Sequence, residues 1–87
     1  MKMTLFVSNQ NKQQEAIDSF TEALAQCTGD EPLQLKVVDI LESPNQAMME
    51  NAFATPMLMR EPASLDRKVM VNLKDTSALC EKVKQLY

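Results

Sequence analysis

The stretch Asn51-Ala52-Phe53-Ala54-Thr55-Pro56-Met57-Leu58-Met59 runs a helix-compatible segment through a Thr-Pro bond straight into an apolar strand. Proline lacks a backbone N–H and drives the preceding residue out of the helical region. Pro56 must therefore end the helix and either open a strand or lie on an edge. The isomers of an X-Pro bond differ by only roughly 0.5–1 kcal/mol, so packing at a tight strand entry can select the cis form. The sequence leaves cis and trans both open at Thr55-Pro56.

The segments around this junction have readable periods. Met3 to Val7 is nearly continuous in apolar and β-favouring residues, as a strand covered on both faces requires. Ser8-Asn9-Gln10-Asn11 then offers N-cap side chains. Ala16, Ile17, Phe20, Ala23, Leu24 and Cys27 follow at the spacing of one helix face, stopped by Gly29, the only glycine. Leu33, Leu35 and Val37 alternate with polar residues and give a second strand over about Leu33 to Asp39. Strand, long helix, strand implies a right-handed crossover with the strands parallel.

Ser43 as N-cap, Pro44 at the first helical position and Gln46 closing a capping box predict a short helix from Pro44 to about Asn51, burying Ala47, Met48 and Ala52. After Pro56 come Met57 to Met59 and then Lys68 to Val71, two short strands suited to an antiparallel pair. Asp75, Thr76 and Ser77 can cap a last helix whose stripe is Leu79, Cys80, Val83, Leu86 and Tyr87. The order β-α-β-α-β-β-α is that of a thioredoxin-like α/β domain, expected to span residues 1–87 as one unit.

Composition narrows the function. No apolar run approaches the roughly 18 residues of a membrane span, and Met1 to Val7 is too short for a signal core, so a cytoplasmic protein is expected. Net charge is −3, with eight acids against three lysines up to Met59 and six bases against four acids from Arg60 onward. The basic half could meet an acidic protein surface, with a solvated face as the simpler reading. Overall acidity and four aromatics supply neither a phosphate footprint nor stacking platforms for nucleic acid.

Chemistry is sparse. A redox thioredoxin needs a nucleophilic thiol at the start of its first helix, where Ser8-Asn9-Gln10-Asn11 stands instead. Cys27 and Cys80 are far apart, without CxxC spacing and with no histidine in the chain, so both are read as small core residues and a disulfide is not expected. Asp39 with Glu42 and Glu61 with Asp66 lack a convergent base and default to solvation. No glycine-rich loop exists to cradle a phosphate, and no cofactor or metal is expected. The methionines Met48, Met49, Met57, Met59 and Met70 are read as core filler rather than an adaptable surface.

Leu35-Lys36-Val37-Val38-Asp39-Ile40-Leu41, the Pro44 helix start, Ala54-Thr55-Pro56 with Leu58 two residues on, and Arg67-Lys68 leading to Leu73 form a pattern that resembles the KaiB family of circadian clock proteins. The likeness covers most of the chain. It implies a non-enzymatic regulator that binds a KaiC-like ATPase or a partner histidine kinase, with a dimer or tetramer as a further possibility. It also implies a choice of two folds: the thioredoxin-like one, and a tetramer-forming βαββααβ arrangement in which roughly Ala47 to Tyr87 is rearranged. Partner-binding or fold-switch candidates on this resemblance are Asn9, Gln10, Asp39, Pro44, Thr55, Pro56, Arg67, Lys68, Val71 and Asn72. The chain departs from the family at two places: Ser8-Asn9-Gln10 replaces an Ala-Gly-Asn loop, and Val71-Asn72 replaces Gly-Asp. Val71 requires an ordinary backbone conformation where glycine would not. Other readings of the residues are a thioredoxin-like sensor or assembly module with another partner, and a thiol-dependent oxidoreductase.

Overall fold

A computed structural model describes residues 2–49, 55–60 and 68–86. Strand β1 (Lys2–Val7) leads through a single 3-10 turn (Gln10–Gln13) into helix α1 (Gln14–Cys27). Strand β2 (Gln34–Asp39), helix α2 (Pro44–Met49), strands β3 (Met57–Arg60) and β4 (Lys68–Met70) and helix α3 (Leu79–Leu86) follow. The strands form one sheet in the order β2-β1-β3-β4, with β1 parallel to β2 and antiparallel to β3, and β3 antiparallel to β4. This is the thioredoxin-like order and not the βαββααβ alternative.

Register follows from which side chains must be covered. Side chains alternate across a strand, so Met3, Leu5 and Val7 of β1 point to one face while Phe6 points to the other. Leu5 pairs with Val37 on one side and Leu58 on the other, which keeps the apolar set of three strands on the same face. There it meets Ile17, Phe20 and Leu24 of α1 and Leu79, Val83 and Leu86 of α3, all buried. Each such side chain contributes roughly 1.5–3 kcal/mol by leaving water. Phe6, Val38, Met57 and Met59 form a second cluster on the opposite face, with Ile40 packed against it.

The helix ends obey local rules with two differences. Gly29 follows the last turn of α1 with φ +64, the left-handed conformation that glycine takes at least cost. The side chains of Ser8 to Asn11 do not cap α1: Gln13 is its N-cap residue and makes no side-chain cap bond. A 3-10 turn intervenes, with Asn9 in the left-handed conformation at its start. Pro44 does occupy the first helical position of α2, but Met48 is 65% exposed rather than buried. Residues 50–54 lie outside the described residues, and the expected burial of Ala52 falls there.

The cysteines correct the sequence reading. Cys27, the last residue of α1, and Cys80, the second residue of α3, are joined by a disulfide, with Cα atoms 5.1 Å apart. Cys27 packs half-buried against the core, as its place on the α1 stripe predicts, whereas Cys80 is exposed. Fifty-three positions separate them along the chain, so no spacing motif announces the pairing. Only the packing of α3 beside α1 creates it.

Candidate functional site

Asp39 ends β2 and is buried, which contradicts its reading as a solvated carboxylate. Its Oδ2 accepts the N–H of Gln10 at 2.9 Å, and its Oδ1 accepts the N–H groups of Leu41 at 2.9 Å and Asn9 at 3.2 Å. The Gln10 N–H and then the Leu41 N–H, with those of Asn9 and Glu42 behind them, hold its pKa below the usual aspartate value against the opposing effect of burial. Its main-chain carbonyl accepts the N–H groups of Glu42 and Ser43 as well. One residue thereby fixes both the loop after β1 and the turn leading to α2.

Asn9 makes this possible by adopting φ 61, ψ 64, so that two successive backbone N–H groups turn toward one carboxylate. Asparagine tolerates the left-handed region better than other residues with a Cβ, and here it stands where the family pattern has glycine. The loop is further held by Gln13 Nε2 donating to the Ser8 carbonyl and by the Lys12 N–H donating to the Asn9 carbonyl. Val71, at the second departure from the family, keeps an ordinary φ, since among the described residues only Asn9 and Gly29 have positive values.

The Thr55-Pro56 bond is cis. The Pro56 carbonyl accepts the N–H of Val71 at 3.2 Å, which extends the β3-β4 pairing by one step and places Asn72 beside the strand entry. Asn72 Oδ1 caps its own turn by accepting the Lys74 N–H at 2.9 Å. A cleft of about 640 Å³ opens here, lined by residues 11–16, Pro56 and residues 72–74. It lies at the entry of α1, where a thioredoxin would carry its thiol. This chain offers amides together with Lys12, Lys74 and Glu15 instead.

The predicted residues thus fall into two groups. Asn9, Gln10 and Asp39 form one hydrogen-bonded knot, while Pro56 and Asn72 line the cleft, Val71 joins Pro56 through its N–H, and Thr55 precedes Pro56 in the chain. Pro44 opens α2 just past the Asp39 turn and is exposed, and Lys68 sits on the far edge strand β4. Arg67 lies outside the described residues. Two of the basic groups counted for an acidic partner bond main-chain carbonyls instead: Arg60 donates to Leu86 and Lys82 to Met70.

Sequence reasoning missed an apolar surface. Leu41 is 66% exposed and Met48 65%, both within the segment that leaves β2 through the Asp39 turn. Met70 is also exposed, while Met57 and Met59 are buried as predicted. A strand face turned to the core accounts for the buried pair. Leu41 could have been singled out, because it follows Asp39 and Ile40 where the strand pattern has already ended.

A four-stranded sheet in this order, with α1 and α3 packed on one face of it, defines a thioredoxin-like domain. The chain belongs to the KaiB family, whose KaiB domain matches residues 4–78. It is similar in structure to the N-terminal domain of Synechococcus elongatus SasA, with a TM-score of 0.66 and 21% identity over 98% of this chain and 80% of that one. It is also similar to thioredoxin 1 from the thermophilic eubacterium Thermosipho africanus, with a TM-score of 0.65 and 15% identity over 98% and 92% of the two chains. At these identities the two structures speak for the fold alone. Comparison with curated protein sequences gives no match.

Proposed function

We propose that this chain is a non-enzymatic regulator of KaiB type that docks on a KaiC-like ATPase or a partner histidine kinase. Membership of the KaiB family supports the class of partner. The observation that carries the docking reading is the exposed pair Leu41 and Met48 around Pro44. Large apolar side chains left in water beside a rigid turn are what a protein partner covers, and edge strand β2 adjoins them. The Asp39 knot supports the same reading, because a surface held in one conformation loses less entropy on binding.

The sulfurs support a role without thiol chemistry at the usual thioredoxin position. Cys27 closes α1, so it stands about 20 Å along the helix axis from the α1 entry where Pro56 lies. In this proposal residues 1–87 act as one domain, with homo-oligomerisation and rearrangement of the second half as the means of regulation. Native mass spectrometry over a concentration series tests that part, and a chain that stays monomeric throughout would remove the tetrameric state.

Docking is tested by pull-down and titration of the full chain against the KaiC-like ATPase and the KaiB-associated histidine kinase of the same genome. Leu41→Asp and Met48→Asp should each weaken binding by roughly tenfold or more, as central apolar contacts do. Absence of binding to the ATPase in either nucleotide state, and to the kinase, would overturn the reading.

A further inference from the structure

We propose that Cys27 and Cys80 form a reversible thiol–disulfide site, exchanging with a small thiol of the glutathione class, that sets how firmly α3 is held. The inference stands on the bridge and the packing of α3, not on the identity of any docking partner. Cys80 is an exposed residue while Cys27 packs half-buried against the core, so the bridge runs from the surface of α3 to the core side of α1. Disulfides reachable from solvent are the ones that exchange with thiols, whereas enclosed ones resist them.

The step balances with two small thiols. The thiolate of the first attacks the sulfur of Cys80, the more exposed residue of the pair, the S–S bond breaks, and Cys27 leaves as a thiolate that takes up a proton. A second thiolate attacks the mixed disulfide at its outer sulfur, releases the Cys80 thiolate to be protonated, and leaves as the oxidised dimer. The protein is reduced by two electrons and the two small thiols are oxidised to one disulfide. Reversal restores the bridge at the expense of that disulfide.

The consequence falls on α3. It has eight residues, fewer than the roughly 12–15 a helix needs to persist alone in water, so its order depends on what anchors it. Those anchors are Leu79, Val83 and Leu86 in the core, the Lys82 bond to Met70, the Arg60 bond to Leu86, and the bridge at its first turn. The bridge alone is covalent, and it ties α3 to an element 53 positions away. Opening it returns loop-closure freedom to the released segment.

The test equilibrates the full chain in buffers of varied glutathione to glutathione-disulfide ratio, traps thiols with a maleimide and follows amide hydrogen exchange by mass spectrometry. Both cysteines should become trapped together as the buffer turns reducing, and regain the bridge when it turns oxidising. Amides of α3 should then exchange about 30-fold faster or more in the reduced form, the equivalent of a typical bridge contribution, while β1 and α1 change little. Cys80→Ser, at an exposed position, should show the fast α3 exchange in both buffers. Sulfurs that stay protected in excess reduced glutathione, thiols that stay free in excess glutathione disulfide, or wild-type α3 exchange unaltered by reduction would each overturn the proposal. A failure of Cys80→Ser to fold leaves the wild-type titration to decide.

Discussion

The unit β1-α1-β2 and the unit β3-β4-α3 share one sheet but are held in different ways. In the first, two six-residue strands pair in register along their whole length and a fourteen-residue helix covers them. In the second, strands of four and three residues pair, and the helix has eight. The second unit relies on bonds that reach across it: Arg60 to the end of α3, Lys82 to the end of β4, Pro56 to Val71, and a disulfide back to α1. Long elements supply their own order through burial and repeated hydrogen bonds. Short ones borrow it, and are open to control at the points where they borrow.

The comparison breaks most easily at Phe20. Its side chain is fully buried in the cluster joined by both units, so Phe20→Ala should cost about 3–5 kcal/mol in chemical denaturation and unfold both units together. A loss of protection confined to one unit would show that they do not share a core. Leu86→Ala should cost about 2–4 kcal/mol, with hydrogen exchange rising first in α3 and β4 and only later in β1. Equal rises everywhere would make the second unit as self-reliant as the first.

A smaller effect is expected at the Asp39 knot, and it depends on pH. The folded pKa of Asp39 is depressed, so its contribution is complete well above the usual value of 3.8 and is lost as pH falls through the lower folded value. Asp75, depressed by the hydroxyl and N–H of Ser77, titrates in the same direction. Asp39→Asn should therefore lower the urea midpoint at neutral pH and flatten, without abolishing, its fall below about pH 3.8. An unchanged acid limb would mean that the N–H groups of Gln10 and Leu41 do not discriminate the ionised form. The least effect on stability is expected from Leu41→Asp, within about 0.5 kcal/mol by thermal unfolding, because the side chain already sits in water. A large loss there would mean that Leu41 serves the fold and not a partner.

Much of the first unit is legible in residue order. Ile17, Phe20 and Leu24 recur at helical spacing, Gly29 ends the helix, and Leu35 and Val37 alternate, each a local signal tied to one element. The candidate site was legible by halves. Pro56 announces the strand entry through its missing donor, but Asp39 could be placed only at the end of a strand, since two of the N–H groups its carboxylate accepts, those of Gln10 and Asn9, belong to residues 29 and 30 positions away. The reading of Cys80 as a core residue failed because a stripe of Leu79, Cys80, Val83 and Leu86 is wider than the contact α3 makes, and Cys80 falls on its rim.

Local periodicity and the two prolines that open α2 and β3 determined the strands and α-helices, their order and the faces that β1 and α1 bury, because those follow from backbone geometry and from apolar area leaving water. The sulfur pairing, the burial of Asp39 and the exposure of Leu41 and Met48 were decided only when elements distant in sequence packed together. Each depends on distances between atoms that the chain brings near one another by folding, and no spacing along the chain records such a distance.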